Sequence, residues 1–410
     1  MRVLNLSLDT QILEKDSAVQ KRLIALAEKV GNTTPALADS GTPFLNGGIT
    51  VFVPGVRDER QELSAHLTIY SFGGLKLMQL FKMWRMGKRL LRSEASSFFK
   101  GGAKSSRRRI LNPSALENEP LPLTKGELRP YDLITVQDPY FLGFLAVKLS
   151  EKFLVPIEVQ IHGFEKMEGG RARLARFVLE RATKIRVVSN RLRKLLESRF
   201  MIHESRIYEL PVYTQIETPP KTSKRKTVPY PFTFLTVGRL VAIKNIALQI
   251  NAFAKVAGKV PYIRLRIVGG GPLLEDLKLD VTSLNLEDKV LFEGYQGDLS
   301  RYYEEADAFL FTSNSEGWGR VVLEAAAHKL PIIMTDVGLA REVIQNEKNG
   351  FIIPVGNEDE LARAMEEFLD KPELRVRLGE AAFETFIALP TPESHIERQV
   401  ERWQALLGRK

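Results

Sequence analysis

Two glutamates near the carboxyl end of the chain have a type and spacing suited to binding a ligand. Glu316 lies in the turn-like segment Ser-Glu-Gly-Trp-Gly-Arg, and Glu324 follows after seven intervening residues in Val-Leu-Glu-Ala-Ala-Ala. Because glycine favours a turn and alanine favours a helix, we expect Glu316 just before a helix and Glu324 inside it. The N-terminus of that helix suits a phosphate, and each carboxylate can accept hydrogen bonds from hydroxyl groups. The pattern therefore predicts a site for a nucleotide sugar, with Glu316 on the sugar and Glu324 on the ribose.

The alternative interpretation is that both glutamates lie on a solvated helix face. The residues just upstream favour the binding site, because 306–313 read Ala-Asp-Ala-Phe-Leu-Phe-Thr-Ser and predict a buried strand. In open parallel sheets, ligands bind beyond the carboxyl ends of the strands. A strand that ends shortly before Glu316 places that side chain at such an edge.

The second half of the chain alternates strand and helix patterns with short turns between them, which is typical of a doubly wound α/β domain. A helix with an apolar face at Ile246, Ile250 and Phe253 follows the first of these strands. Residues 358–386 are charged and predict a further helical region. The predicted strands are 232–237, 264–268, 289–293, 306–311, 331–335 and 351–354.

The first half carries the same alternation less regularly, so we predict a second α/β domain there. Its predicted strands are 2–6, 50–53, 66–70, 133–136, 158–161 and 185–189. The predicted organisation is a domain at 1–215, a polar, proline-bearing linker at 216–230 and a domain at 231–388. A helix within 389–410 has an apolar stripe that we expect to pack on the N-terminal domain, formed by Ile396, Val400, Trp403 and Leu407. The fold class is thus predicted to be α/β, with two Rossmann-like doubly wound domains.

The composition excludes several classes of protein and site. With 410 residues, 44% of them hydrophobic and 27% charged, the chain has ample material for two cores. It has no cysteine, which excludes disulfides, thiolate catalysis and cysteine-ligated zinc. Five histidines without a close acidic cluster give no reason to expect a metal site. We expect a cytoplasmic protein, because no apolar run approaches the roughly 20 residues of a membrane span and the first residues do not resemble a signal peptide.

A basic segment at 75–109 contributes strongly to the net charge of +9. Between Lys82 and Arg109 there are ten lysines or arginines and one acid, Glu94, and an apolar stretch that includes Trp84 overlaps their start. Such a segment can hold a protein peripherally on an anionic membrane, here the inner face, and a solvated loop is the alternative. Nucleic acid is another anionic partner, but the segment has no recognised RNA-binding motif, so we do not expect it.

Three motifs occur in the order found in a known family. They are Gly-Arg-Leu-Val-Ala-Ile-Lys at 238–244, Val-Gly-Gly-Gly-Pro at 268–272, and the segment with Glu316 and Glu324. With them the chain resembles the family 4 glycosyltransferases of the GT-B fold, over about residues 232–386. The resemblance implies two Rossmann-like domains facing each other across a cleft. It also implies retaining transfer of a hexose-type sugar from a nucleotide-diphosphate sugar to a saccharide or lipid-linked acceptor, without a cofactor.

The resemblance further implies roles for individual residues. Arg239 and Lys244 bind the donor diphosphate, Glu316 contacts the donor sugar and Glu324 contacts the ribose. His162, in Gln-Ile-His-Gly of the N-terminal domain, completes the implied catalytic set. No Asp-x-Asp motif occurs, so fixed cations rather than a divalent metal are expected to stabilise the leaving diphosphate. The residues expected around the donor are Gly238, Gly269, Gly270, Tyr295, Gly317, Trp318, Gly319, Arg320, Val321 and Glu324.

Some assignments leave alternatives open. The glycines at 269–271 either cradle phosphate or only make a tight strand-to-helix turn, and Tyr295 either borders the base or belongs to the core. The glycine pair that the family has in its first strand-to-helix loop is missing, and Asp9 and Lys15 stand in that region instead. A nucleotide-sugar epimerase is an alternative enzyme of the same architecture, although it needs more acid and base groups. A phosphorolytic enzyme needs a lysine-bound pyridoxal phosphate, and a nucleic-acid-binding protein would use the basic segment.

Overall fold

The chain folds into two compact units. The computed structural model describes residues 1–15, 17–32, 48–74, 76–91, 131–163, 169–211, 216 and 231–408. One unit comprises Met1–Tyr213 with Thr391–Lys410, and the other comprises Thr214–Pro390. Of the linker predicted at 216–230, only Ile216 lies within the described residues, so the linker stays a prediction.

The first unit contains one sheet of parallel strands with a single antiparallel neighbour at its edge. Its described strands are β1 (Arg2–Leu6), β2 (Gly48–Pro54), β3 (Glu59–Ser64), β4 (Leu67–Phe72), β5 (Leu133–Val136), β6 (Ile157–Ile161), β7 (Lys184–Val187) and β8 (Ile207–Glu209). They lie in the order β3-β4-β2-β1-β5-β6-β7-β8, with β3 antiparallel to β4. Both β5 and β6 are buried at every position, because helices cover both faces of such a sheet. The helices described between the strands are α1 (Ala18–Asn32), α2 (Lys76–Leu90), α3 (Phe141–Phe153), α4 (Gly169–Arg181) and α5 (Asn190–Phe200).

The second unit contains a parallel sheet of the doubly wound type. Its strands are β9 (Phe232–Val237), β10 (Ile263–Val268), β11 (Val290–Gly294), β12 (Ala308–Phe311), β13 (Ile332–Thr335) and β14 (Phe351–Ile353). Its helices are α6 (Ile246–Ala257), α7 (Leu274–Ser283), α8 (Ser300–Glu305), α9 (Arg320–Ala327), α10 (Glu358–Asp370) and α11 (Pro372–Ile387). The strand order is β11-β10-β9-β12-β13-β14. Strands β10 and β11 are therefore added on one side of β9, and β12, β13 and β14 on the other, so the order of addition reverses between β9 and β12. This reversal is the topological switch point at which ligands bind in such sheets.

The last helix of the chain, α12 (Pro392–Leu406), packs on the first unit. It begins at Thr391, whose side chain accepts a hydrogen bond from the Ser394 N–H at 3.3 Å. Val400 and Trp403 are buried in the same hydrophobic cluster as residues of β1, β2 and β5. The Trp403 indole Nε1 also donates to the buried Glu158 Oε2 at 2.9 Å. The apolar stripe of this helix therefore covers the N-terminal sheet.

The predicted α/β class with two doubly wound sheets is confirmed. Two strands were not predicted, namely β3, which has the polar sequence Glu-Arg-Gln-Glu-Leu-Ser, and the short β8. The region 358–386 is helical as predicted and forms two helices, because Pro372 starts a new helix where its missing N–H costs nothing. Within the described ranges, every helix is too short or too polar to cross a lipid bilayer.

Candidate functional site

The site predicted in the second unit is built at the carboxyl ends of β9 and β12, on either side of the switch point. The segment after β9 ends in a short 3-10 turn, Ala242–Lys244, and the segment after β12 carries Ser313 and Glu316. Lys244 Nζ and Glu316 Oε1 form a short ion pair in which each side chain is 18% exposed. The Ser313 hydroxyl donates to the same Glu316 oxygen at 3.1 Å. Two of the predicted catalytic residues are therefore in direct contact.

A buried polar chain holds the turn that carries Lys244. The Thr312 hydroxyl donates to the backbone carbonyls of Lys244 at 3.2 Å and Asn245 at 3.1 Å. Gln249, fully buried in α6, donates from Nε2 to Thr312 Oγ1 at 2.7 Å and to Thr236 Oγ1 at 3.1 Å. These contacts tie the turn to β9 and β12, so the position of Lys244 depends on both strands. Neither Gln249 nor Thr312 was identified from the sequence, although a glutamine on an apolar helix face was a detectable signal.

Of the three glycines after β10, Gly269 and Gly271 allow close packing of the backbone, whereas Gly270 has space around it. Gly269 has φ +141°, and a Cβ there would lie 1.9 Å from the Gly238 carbonyl oxygen. A Cβ on Gly271 would lie 2.3 Å from the Leu240 carbonyl oxygen. Gly270 has no such neighbour within 4 Å in the described structure. The structure therefore favours the packing interpretation for Gly269 and Gly271, because any other residue would push apart the loops after β9 and β10. Arg239, the second predicted cation, follows Gly238 and is exposed.

The second glutamate, Glu324, lies in the middle of α9 and is held by two partners. Tyr303 Oη donates to Glu324 Oε2 at 2.8 Å, and Arg320 Nε contacts Glu324 Oε1 at 2.8 Å. The Glu324 side chain is 13% exposed. Burial and the negative charge of Glu324 raise the pKa of Tyr303 well above its usual value, so the hydroxyl stays protonated at neutral pH. Tyr303 was not identified from the sequence.

The glycine-rich turn between the two glutamates is clamped by the segment after β13. A Cβ on Gly338 would lie 2.3 Å from the Trp318 carbonyl oxygen, and the Leu339 N–H donates to that oxygen at 2.8 Å. Trp318 is 8% exposed, and its indole Nε1 is buried without a hydrogen-bond partner among the described residues. The turn ends at Gly319, whose φ of +103° opens α9 without a side-chain cap. The amino end of α9 therefore has no capping side chain in the described structure. The other predicted donor residues of this turn differ in burial, with Gly317 buried, Val321 half-buried and Arg320 exposed.

Tyr295 follows β11 and is 84% exposed. The alternative that it belongs to the core is therefore wrong. The residue before it, Gly294, has φ +68°, which turns the chain away at the end of the strand. The tyrosine side chain remains available to a ligand at the carboxyl edge of the sheet.

His162 lies in the first unit, immediately after β6, whereas Arg239, Lys244 and Glu316 lie in the second. Its Nε2 is 3.4 Å from Gln160 Oε1. Burial, followed by the positive charges of Arg186 and Arg22, lowers the pKa of His162 to about 3. The ring is therefore neutral at pH 7 and can exchange hydrogen bonds without carrying a charge. It lines a cavity of about 40 Å³, and the polar residues among the rest of the lining are Asn5, Arg22, Gln137, Gln160, Arg186, His395 and Gln399.

Among the residues that the structure describes, no group of three or more histidine, aspartate or glutamate side chains is arranged to hold a metal ion. The ion pair of Lys244 with Glu316 is instead the main concentration of charge at the switch point of the second unit. The described side chains at this edge of the sheet therefore include a lysine paired with a carboxylate.

Two doubly wound units, with this ion pair at the switch point of the second, define a protein of the GT-B fold class. A solved structure of Anabaena HepE in complex with UDP and glucose shares the fold with a TM-score of 0.69. It is 16% identical, and the likeness covers 99% of this chain and 100% of HepE. Residues 220–385 match the family described as glycosyl transferases group 1. The resemblance drawn from the motifs is confirmed.

Curated relatives match over limited lengths. A protein of Haemophilus influenzae named an uncharacterized glycosyltransferase is 30% identical over 176 residues, which are 43% of this chain and 48% of that protein. A Campylobacter jejuni protein is 33% identical over 142 residues, which are 34% of this chain and 38% of that protein. It is named N-acetylgalactosamine-N,N'-diacetylbacillosaminyl-diphospho-undecaprenol 4-alpha-N-acetylgalactosaminyltransferase. The chain spans about half or less of the length of these relatives.

Proposed function

We propose that the protein transfers a hexose-type sugar from a nucleotide-diphosphate sugar to a saccharide or lipid-linked acceptor, with retention of anomeric configuration. The observation that carries the proposal is the contact of Lys244 with Glu316 at the switch point between β9 and β12. Glu324 on the following helix adds a second carboxylate that is already held in place. The match to the group 1 glycosyltransferases supports the same activity.

The proposed chemistry uses the charges of the site to stabilise the leaving group. As the bond from the anomeric carbon to the diphosphate oxygen breaks, negative charge grows on the diphosphate, and we assign its stabilisation to Lys244 and Arg239. Glu316 accepts hydrogen bonds from sugar hydroxyls, and Glu324 accepts them from the ribose. We assign no enzymic nucleophile, because Glu316 already accepts from Lys244 and Ser313. The acceptor hydroxyl attacks from the face that the diphosphate leaves, and a diphosphate oxygen takes its proton.

We further propose that this reaction needs no divalent metal. The sequence has no Asp-x-Asp motif, and two basic side chains follow β9 in the segment where the donor diphosphate is expected. A lysine and an arginine together supply the positive charge that a metal ion supplies in other transferases. The nucleotide sugar is then the co-substrate, without any further cofactor.

The donor and acceptor are proposed from relatives. The structure of HepE with UDP and glucose supports a uridine diphosphate hexose as donor. The name of the Campylobacter relative supports a polyprenyl-diphosphate-linked saccharide as acceptor. Such acceptors lie in a membrane, which agrees with the basic segment at 75–109 as a peripheral attachment to an anionic inner face. The nucleotide-sugar epimerase and nucleic-acid-binding alternatives have no comparable support.

The described part of that segment, 76–91, supports the proposed membrane contact. Met78 and Phe81, three positions apart on α2, are 51% and 63% exposed. Lys88 and Arg89 lie in the last turn of the same helix. An exposed apolar pair followed by cations is the pattern of a helix that lies in a membrane interface. The remainder, 92–109, lies outside the described residues.

The test is a binding and transfer experiment on the purified protein. UDP, GDP and ADP are each added in a thermal-shift assay, where a ligand at 100 times its dissociation constant stabilises by about 2.7 kcal/mol. Nucleotide sugars that contain the nucleotide that binds are then assayed as donors, with a short-chain polyprenyl-diphosphate saccharide as acceptor. The anomeric configuration of the product is determined by NMR. We expect UDP to stabilise the protein and the product to retain the donor configuration. Failure of all three nucleotides to stabilise the protein would refute the proposal.

A further inference from the structure

The carboxylate of Glu324 is held from two sides by side chains of two different helices. Tyr303, from α8, donates to Oε2 at 2.8 Å, and Arg320, from α9 itself, contacts Oε1 at 2.8 Å. The two contacts differ in rigidity. Arg320 is 49% exposed, and an ion pair with a partner that exposed contributes little to fixing a side chain. Tyr303 is 2% exposed and is therefore the firmer of the two partners.

Packing fixes the ring of Tyr303. The ring stacks on His328, with ring centroids 5.1 Å apart and planes inclined by 25°. On another side it meets Phe309 of β12 at 5.9 Å. These contacts hold the Tyr303 ring in place before any ligand binds. Ligand binding therefore need not immobilise this side chain, and that entropy cost is avoided. The hydroxyl also remains a donor at neutral pH, since burial and the charge of Glu324 raise its pKa.

The two contacts leave acceptor capacity on each oxygen of Glu324. An ionised carboxylate has about four lone-pair sites, and among the residues that the structure describes Tyr303 and Arg320 use one on each oxygen. One site on each oxygen is then left, a pair that matches two neighbouring hydroxyl groups such as the 2′ and 3′ hydroxyls of ribose. We propose that Tyr303 is a positioning residue that aims these two sites of Glu324 at the ribose diol of the donor nucleotide. This inference rests on the proposed function, in which Glu324 binds the ribose.

The neighbouring Tyr302 provides a matched control. It lies on the same helix, is 8% exposed, and its ring packs against the Arg266 guanidinium at 4.7 Å. Tyr302→Phe and Tyr303→Phe each remove one phenolic hydroxyl from a buried ring of α8. Only the second removes a hydrogen bond to Glu324.

The experiment is calorimetric titration of the wild type and both variants with UDP and with 2′-deoxy-UDP. The wild type should bind 2′-deoxy-UDP about tenfold more weakly than UDP, because the deoxy sugar leaves one acceptor site of Glu324 unpaired. In Tyr303→Phe, UDP should bind about fivefold to tenfold more weakly, and its advantage over 2′-deoxy-UDP should fall below about threefold. Tyr302→Phe should keep both the wild-type affinity and the wild-type ratio.

The ratio of the dissociation constants for 2′-deoxy-UDP and UDP distinguishes a positioning role of Tyr303 from a purely structural one. Both constants are measured on one sample, so partial unfolding of a variant lowers the stoichiometry without altering the ratio. A wild-type ratio in Tyr303→Phe, an equal loss for both nucleotides, or loss of all binding in that variant overturns the inference. A wild type that binds UDP without preferring it over 2′-deoxy-UDP also overturns it, while leaving nucleotide binding itself intact. A wild type that binds none of UDP, GDP and ADP overturns the proposed function and this inference together.

Discussion

Lys244 and Glu316, which the sequence assigns to different parts of a donor molecule, form an ion pair with each other. Each side chain is 18% exposed, so each charge is partly removed from water and is balanced by the other. A donor that places its diphosphate on Lys244 replaces the Glu316 carboxylate with another anion, whereas a sugar on Glu316 replaces the lysine with neutral hydroxyl donors. The pair therefore keeps both groups oriented, and removing one partner leaves the other charge uncompensated.

The diphosphate role predicts a large kinetic effect from either cation. We expect Lys244→Ala and Arg239→Ala each to lower turnover by about a hundredfold, equivalent to about 3 kcal/mol of lost charge stabilisation. Steady-state rates with any accepted donor measure the effect, and thermal melting checks that the fold is kept. Lys255→Ala is the control, because this lysine pairs only with surface carboxylates of α10 in the described structure. Near-normal rates in the Lys244 and Arg239 variants would show that the diphosphate lies elsewhere.

Substitutions of the two glutamates should affect the binding of different ligands. Glu324→Gln should weaken bare UDP about tenfold, because a carboxylate acceptor for the ribose is lost. Glu316→Gln should leave bare UDP bound at least as tightly, because Lys244 then has no competing carboxylate, while the intact donor loses affinity and turnover. Calorimetry with UDP and with the nucleotide sugar measures both effects. Equal losses for both ligands in both variants would contradict this division.

Under the proposed mechanism, activity should persist in excess EDTA, because Lys244 and Arg239 rather than a bound ion stabilise the leaving diphosphate. Turnover is measured before and after chelation, with a metal-dependent transferase in the same buffer to show that chelation is complete. If activity disappears in EDTA and only a divalent metal restores it, the metal-independent mechanism is wrong.

The sequence predicted the elements whose patterns are local. The apolar runs of β9, β10 and β13 can be identified from neighbouring residues, and their predicted bounds agree with the structure within about two residues. The alanine-rich α9 follows Glu316 and contains Glu324, as the sequence predicted. The polar edge strand β3 was missed because its pairing with β4 comes from the sheet and not from its own composition.

The site was predictable only where motifs occur, because its supporting residues depend on contacts distant in sequence. Tyr303 reaches Glu324 across 21 positions, and Gln249 reaches Thr312 across 63. Neither spacing follows a helix or strand period. The ion pair of Lys244 with Glu316 was also not expected, since the motifs assigned each residue to a ligand and not to the other.

The buried histidine of α12 predicts that stability falls at mildly acidic pH. His395 is 9% exposed, and burial, with Arg186, Arg22 and Arg398 as further causes, lowers its pKa to about 3. An unfolded histidine has a pKa near 6.5. Below that pH the unfolded chain binds a proton at this residue, whereas the folded chain does not. Stability is therefore lost as the pH falls from about 6.5 towards 3, by about 2 kcal/mol between pH 6.5 and 5.

The measurement is the urea midpoint of the first unit at pH 6.5 and pH 5. The buried Glu158 acts in the opposite sense, because burial raises its pKa and the folded state holds its proton more tightly. The His395→Asn variant keeps Glu158 and removes only the histidine. We expect the stability of this variant to fall less between pH 6.5 and pH 5 than that of the wild type. His203→Asn, at an exposed histidine, should follow the wild type. If His395→Asn and the wild type lose equal stability between the two pH values, the histidine is not the sensitive group.

The least conventional prediction is that α2 and the basic residues after it attach the first unit to anionic membranes. Met78 and Phe81 are exposed on α2, and the neighbouring α3 exposes Phe141 and Phe144 by 56% and 41%. Lys88 lies over the Trp84 ring at 5.0 Å, so an aromatic side chain and a cation accompany the apolar pair. Each basic residue near an anionic surface contributes about 1 kcal/mol, so several suffice for reversible binding that salt weakens.

Flotation with vesicles of neutral lipid, and of neutral lipid mixed with acidic lipid, separates this attachment from nonspecific adsorption. The wild type should float only with acidic lipid at low salt, because the cations must be near negative headgroups for the apolar side chains to insert. A variant in which five basic residues of the segment become glutamine should stay in solution; these are Lys88, Arg89, Arg107, Arg108 and Arg109. The charge-matched control carries five lysine-to-glutamine changes in the second unit and should float like the wild type; these are Lys255, Lys259, Lys278, Lys329 and Lys371. If the control variant loses flotation as the basic-segment variant does, net charge rather than this surface drives binding. If the wild type never floats, α2 is not a membrane contact and the acceptor is a soluble saccharide.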